Sequence, residues 1–126
     1  MISRLANDVK GTAAVEFALT APLYIMLSFA IVQFGLFLWT ELGLQHAVDL
    51  SARCASIMTT ICPSASTTQT YAAGQAFGLS IDPSVFVVEK DACGQNVKVS
   101  YPFEISIPLM PTVAITINAG SCFPTN

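Results

Sequence analysis

The sequence predicts an α+β fold. A long N-terminal helix is followed by a short helix and a small antiparallel β-sheet packed on the helix's outer half. Two observations carry this reading. Residues 17–40 hold no formal charge over 24 positions, bounded by Glu16 and Glu41. From Ser84 onward the apolar pattern changes to the alternation of short strands.

A bilayer core of about 30 Å needs about 20 apolar residues at about 1.5 Å rise each, so residues 17–40 are long enough to span with some tilt. The totals agree. Of 126 residues, 53% are hydrophobic and only 10% charged, against about 25% charged in an average soluble domain. The net charge of −3 leaves no electrostatic footprint for nucleic acid. Arg4 and Lys10 lie just before the apolar stretch, and the first basic residue after it is Arg53. The positive-inside rule therefore puts the N-terminus in the cytoplasm and the chain beyond residue 41 outside.

Cys54, Cys62, Cys93 and Cys122 all follow the apolar stretch. An even count in a small exported region favours disulfides, and four cysteines allow three pairings. Metal binding fits poorly, because no C-x-x-C pair occurs and His46 is the one histidine.

Residues 1–11, MISRLANDVKG, are short, polar and partly basic. The following run is longer than the 7–15 residue core of a secretory signal and lacks an A-x-A site at its end. In GTAAVEFAL, two readings of the same residues stand side by side. In the first, Gly11 is a hinge, Thr12 an N-cap and Glu16 a partner for the helix dipole. In the second, the chain is cut after Gly11, and Glu16 is the fifth residue of the product. A carboxylate at the mouth of a bilayer is costly until paired, and the new amine on Thr12 of the same or a neighbouring subunit is a suitable partner.

The wording KGTAAVEFALTAPLYIMLSFAIVQFG resembles the TadE-like minor pilins of tight-adherence (Flp, type IVb) pilus systems. The matching positions are Gly11, Ala13, Ala14, Val15, Glu16, Phe17, Ala18, Leu19, Pro22, Phe34 and Gly35. The family's usual acid before the Phe-Gly pair is Gln33 here. The resemblance covers about residues 8–55 and implies a pilin-like fold without enzymatic activity or cofactor. It implies cleavage between Gly11 and Thr12 by a prepilin peptidase, and residence in the bacterial inner membrane before incorporation into an extracellular pilus. Its implied partners are that peptidase, other major and minor pilins, the inner-membrane assembly platform and membrane lipid. Glu16, Pro22 and Gln33 become assembly residues in that reading, and the role is pilus biogenesis or cell adhesion. The competing reading is a permanently anchored envelope protein, uncut at Gly11, that binds another envelope component through its outer domain.

By residue type alone Pro22 removes one backbone donor inside the helix, which membrane helices tolerate with a kink. Gln33 should face protein where it has a partner, and Trp39 suits a membrane interface. Residues 41–59 continue the helix outside. Leu44, Val48, Ala55 and Met58 share one stripe, and His46, Asp49 and Arg53 another. Asp49 and Arg53 are spaced for an i,i+4 ion pair. The expected organisation is a leader over 1–11, a helix over 12–59 crossing the membrane at about 17–40, and an exported α+β domain over 60–126.

Cys62-Pro63 and SASTTQT predict a loop over 61–70, and Tyr71 to Leu79 a short helix capped by Thr70. SVFVVEK, VKVSYPF and TVAITIN predict strands, giving three or four with EISIPLMP, which its prolines break. Placing Phe103 opposite Thr112 sets Cys93 opposite Cys122 and leaves Cys54 for Cys62. No Ser/His/Asp or Cys/His order, paired carboxylates or phosphate loop points to an enzyme.

Overall fold

A computed structural model describes residues 9–125 of the chain, with side chains from residue 11. The expected leader, including Arg4, lies outside the described residues over 1–8. Helix α1 (Val9–Ile57) is followed by α2 (Ala65–Gly74), a 3-10 turn (Pro83–Val85) and strands β1 (Phe86–Asp91), β2 (Gly94–Ile105) and β3 (Val113–Phe123). The class is α+β, with a long apolar helix, a short helix and a three-stranded antiparallel sheet in the order β1-β2-β3.

At 49 residues, α1 is about 73 Å long at 1.5 Å per residue. Its two halves have different surroundings. Leu44, Ala47, Val48, Ser51, Ala52 and Cys54 are fully buried, at the i, i+3, i+4, i+7 spacing of one face. That face meets β2 and β3. Helix α2 lies beside it, packed on α1 and β1. The buried hydroxyl of Ser51 donates to the Ala47 carbonyl of its own helix at 2.6 Å, and Thr40 to that of Leu36 at 2.9 Å, so neither is left unsatisfied in the core.

The sheet's inner face carries Phe86, Val97, Val99, Ile117 and Ala119, all buried. The register pairs Val97 with Ser121, Val99 with Ala119, Tyr101 with Ile117 and Phe103 with Ile115. It differs by three residues from the one that sets Phe103 opposite Thr112. The reason is the side-chain period of two. The expected register pairs odd with even positions and turns the two apolar sets to opposite faces. The observed one pairs odd with odd and turns both sets toward α1.

The cysteines join Cys54 to Cys62 and Cys93 to Cys122, with Cα separations of 5.8 and 6.4 Å. Cys93 sits in the β1–β2 hairpin turn, while Cys122 pairs with Asn96 on β2. The bridge thus runs from a turn to a neighbouring strand and does not join facing strand positions. Cys54 and Cys62 meet because α1 stops at Ile57 and the chain folds back, with the Cys62 amide bonded to the Met58 carbonyl.

The remaining expectations shift in detail. Helix α1 runs unbroken from Val9 through Gly11 and Thr12, so Thr12 is no N-cap and Gly11 no hinge in this conformation. Glu16 lies beyond the first turn, where the helix dipole has faded. The helix is also continuous through Pro22. The short helix starts earlier than Tyr71. Ser64 caps it, accepting from the Thr67 amide while the Thr67 hydroxyl accepts from the Ser64 amide. Residues 65–70 are therefore helical, because this capping box supplies partners for the first-turn donors. Asp49 pairs with Gln45 at 3.3 Å and not with Arg53.

Gly94 has φ +128°, and a Cβ there would stand 2.2 Å from the Phe123 carbonyl oxygen. Gly94→Ala should lower the unfolding free energy by about 2–4 kcal/mol, from strain plus a backbone clash, read by urea unfolding with Trp39 emission. The closed loops also rank the disulfides. With sequence separations of 29 and 8, removing Cys93–Cys122 should cost about 3.6 kcal/mol and Cys54–Cys62 about 2.6 by loop-closure entropy. Denaturant titration of the two double-serine variants checks the order.

Candidate anchoring and assembly surface

Below the head, α1 is apolar on every side. Val15, Phe17, Leu19, Leu23, Tyr24, Ile25, Leu27, Phe29, Ile31 and Val32 are all exposed. A helix that is hydrophobic all round is made to lie in lipid or against other helices. Mean hydropathy reaches 1.9 within Gly11–Ile57, so the helix is long and apolar enough to cross a membrane. It is compatible with a single-pass anchor. Hydroxyls in this half bond to their own helix: Thr20 to the Glu16 carbonyl at 3.0 Å and Ser28 to that of Tyr24 at 2.8 Å. Such back-bonding lets them face an apolar medium at little cost.

The sequence-predicted assembly residues lie at three separate heights on α1. Glu16 is exposed, and no ion pair among the described residues includes it. Pro22 is exposed six residues above. At that height the helix face of Phe17, Thr20, Ala21, Tyr24 and Ile25 lines a shallow apolar recess. Gln33 lies further up and already has a partner. Its Nε2 donates to the Ser106 carbonyl at 3.1 Å.

That bond is a contact the sequence reading missed. It ties the segment between β2 and β3 to the helix seven residues below Thr40. Above it the Phe37 and Phe103 rings meet edge to face with centroids 5.6 Å apart. The head therefore reaches down to Gln33 and overlaps the upper third of residues 17–40. Below it most of residues 11–32 are exposed, with Ala21, Met26, Ser28 and Ala30 half-buried. The proline pair in IPLMP was the available signal for a tight turn descending along α1.

The far end of the head holds the ion pairs found among the described residues. Lys98 Nζ lies 3.5 Å from Glu89 and 3.7 Å from Asp91, on exposed side chains, a pairing worth little in water. His46 stacks on Phe77 with ring centroids 4.7 Å apart, and its Nδ1 faces the Gln75 carbonyl at 3.2 Å. It serves packing between α1 and the end of α2. Among the described residues no group of His, Cys, Asp or Glu is arranged to hold a metal ion.

The Asp82 carboxyl is held below its ordinary value of 3.8 by hydrogen bonding from Ser84, whose amide donates to Oδ1 at 2.8 Å. A lowered folded-state pKa adds stability above the unfolded value and loses it as pH falls through the folded one. The protection of the Ser84 amide relative to its intrinsic exchange rate should therefore fall on acidification below the ordinary carboxylate range. Asp82→Asn should remove that pH dependence.

An apolar helix long enough to cross a membrane, joined to a small disulfide-tied head, defines an anchored-helix class of protein. Within it, residues 11–53 match the family model described as TadE-like protein. The matched segment covers most of α1. No curated protein and no solved structure matches the chain.

Proposed function

We propose that this protein is a minor pilin or pseudopilin of a tight-adherence pilus. It acts as a structural component that assembles by lateral packing of α1 and aids pilus biogenesis or adhesion. The observation that carries the reading is the TadE-like match over residues 11–53 falling on a helix whose lower half is apolar and uncovered. Glu16 is the register element. A carboxylate inside or at the edge of lipid is costly until paired, and a Thr12 amine released by cleavage after Gly11 supplies the opposite charge. In the intact chain Gly11 and Thr12 are both exposed on the helix, so a peptidase acting there must unwind that turn.

The N-terminus is cytoplasmic and the head exported in this reading. The two disulfides suit an oxidising compartment. The partners are the prepilin peptidase, other pilins and the inner-membrane assembly platform. The recess lined by Phe17, Ala21, Tyr24 and Ile25 is where a neighbouring helix packs. The alternative is a permanent envelope anchor, uncut at Gly11, that binds through its head. It keeps the same helix and loses the free amine.

Mass spectrometry of the assembled protein separates the two. A mature start at Thr12 is expected, and an intact leader in assembled material would overturn the pilin reading. Glu16→Ala should leave membrane insertion unchanged while lowering co-assembly with partner pilins at least several-fold. Pilus yield and detergent co-purification measure that effect.

A further inference from the structure

We propose that the tip between β2 and β3 is a second membrane contact, seated in the headgroup and acyl boundary of the outer leaflet beside α1. The inference rests on α1 spanning the membrane.

The tip is a tight turn. The Met110 amide donates to the Ile107 carbonyl at 3.1 Å, with Pro108 and Leu109 between. Leu109 has φ +69°. Proline followed by a positive φ is the type II pattern, whose third position ordinarily takes glycine or asparagine. Here it carries a leucine that is 89% exposed. A strained backbone that displays an apolar side chain to solvent has no folding reason within this chain.

Its height supplies the reason. The Ser106 carbonyl is bonded to Gln33, a residue inside the uncharged stretch 17–40 and about 10 Å below Trp39 by helical rise. The tip thus hangs level with helix that must meet lipid. Interfacial elements bury their apolar groups about 5–10 Å into this boundary.

The chemistry of the tip matches. Leu109, Met110, Val113 and Ile115 are exposed, and no Asp, Glu, Lys or Arg occurs over residues 105–126. Pro108 and Pro111 bring no backbone N–H that would need a partner in lipid. The Lys98, Glu89 and Asp91 cluster lies toward the opposite end of β2, which is about 40 Å long at 3.3 Å per residue. Glu104, exposed and paired with Ala114, is the one charge at the lower end of the sheet, and the turn beyond it carries none.

The test uses the full chain in phosphatidylcholine and phosphatidylglycerol vesicles. Its four native cysteines are paired, so one added thiol can be labelled with an environment-sensitive fluorophore. Labels go at Met110→Cys, at Lys90→Cys on the far end and at Leu27→Cys on the anchor. Lipids brominated at shallow acyl positions should quench the label at 110 at least twofold, and leave that at 90 unchanged. Quenching at 27 with none at 110, where aqueous iodide quenches instead, would overturn the tip proposal and leave the anchor standing. Absence of quenching at 27 would remove the anchor and the tip proposal with it. Crosslinking of the label at 110 to a second copy, in place of lipid quenching, would also overturn it. Leu109→Gly separates lipid contact from folding. It relieves the positive φ, so the head's urea midpoint should hold or rise while quenching at 110 falls. An unchanged quench in Leu109→Gly and Leu109→Lys alike would sink the idea.

Discussion

The packing of one sheet face on the upper half of α1 is the interaction on which the rest depends. Phe86, Val97, Val99 and Ile117 close over Leu44, Ala47, Val48 and Ala52. Each fully buried large side chain stabilises by about 1.5–3 kcal/mol, and a lone three-stranded sheet of this size is marginal in water. The head therefore cannot be treated as a domain merely attached to an anchor. The helix supplies part of its core, so the anchor and the head share one continuous element. A displacement or rotation of the lower helix acts on the same rod that carries the head.

Two covalent ties and several hydrogen bonds keep that packing in register. Cys54–Cys62 holds the turn at the top of α1, and Cys93–Cys122 holds the hairpin turn to the end of β3. Ser56 donates to the Pro124 carbonyl at 2.5 Å, fixing the chain after β3 to the helix end. Gln69 donates to the Phe86 carbonyl at 2.6 Å, joining α2 to β1. At the bottom of the head, Gln33 and Phe37 hold the β2–β3 segment. The head is thus fastened to α1 at both ends, and the lower helix is left clear for lipid or for neighbouring helices.

The apolar helix and the strand segments were legible because each depends on local pattern. A charge-free run of this length and an alternation of β-branched residues are properties of neighbours in sequence. The helix over 65–74 was hidden because its cap is Ser64 with Thr67, where a glutamate or glutamine is the usual third partner. The register was hidden for a different reason. It is chosen by which faces must meet α1, and a sequence offset of three changes that choice completely. The cysteine partners came out alike under both registers, since Cys93 reaches β3 from a turn.

For the surface that meets partners, sequence and tertiary structure divide the work. By itself the sequence determined the anchor-like helix, the acid at its head, the glycine before it and the TadE-like wording that spans them. All of these are contiguous, so no folding is needed to read them. Only the tertiary structure decided how far down the helix the head extends. The Gln33–Ser106 bond joins residues 73 apart, and no local pattern encodes such a distance. It also decided that Leu109 stands exposed beside the apolar helix, because a turn's direction is set by the sheet that carries it. The helix that began as a 24-residue membrane stretch is therefore shared, with its lower part free and its upper part belonging to the head's core.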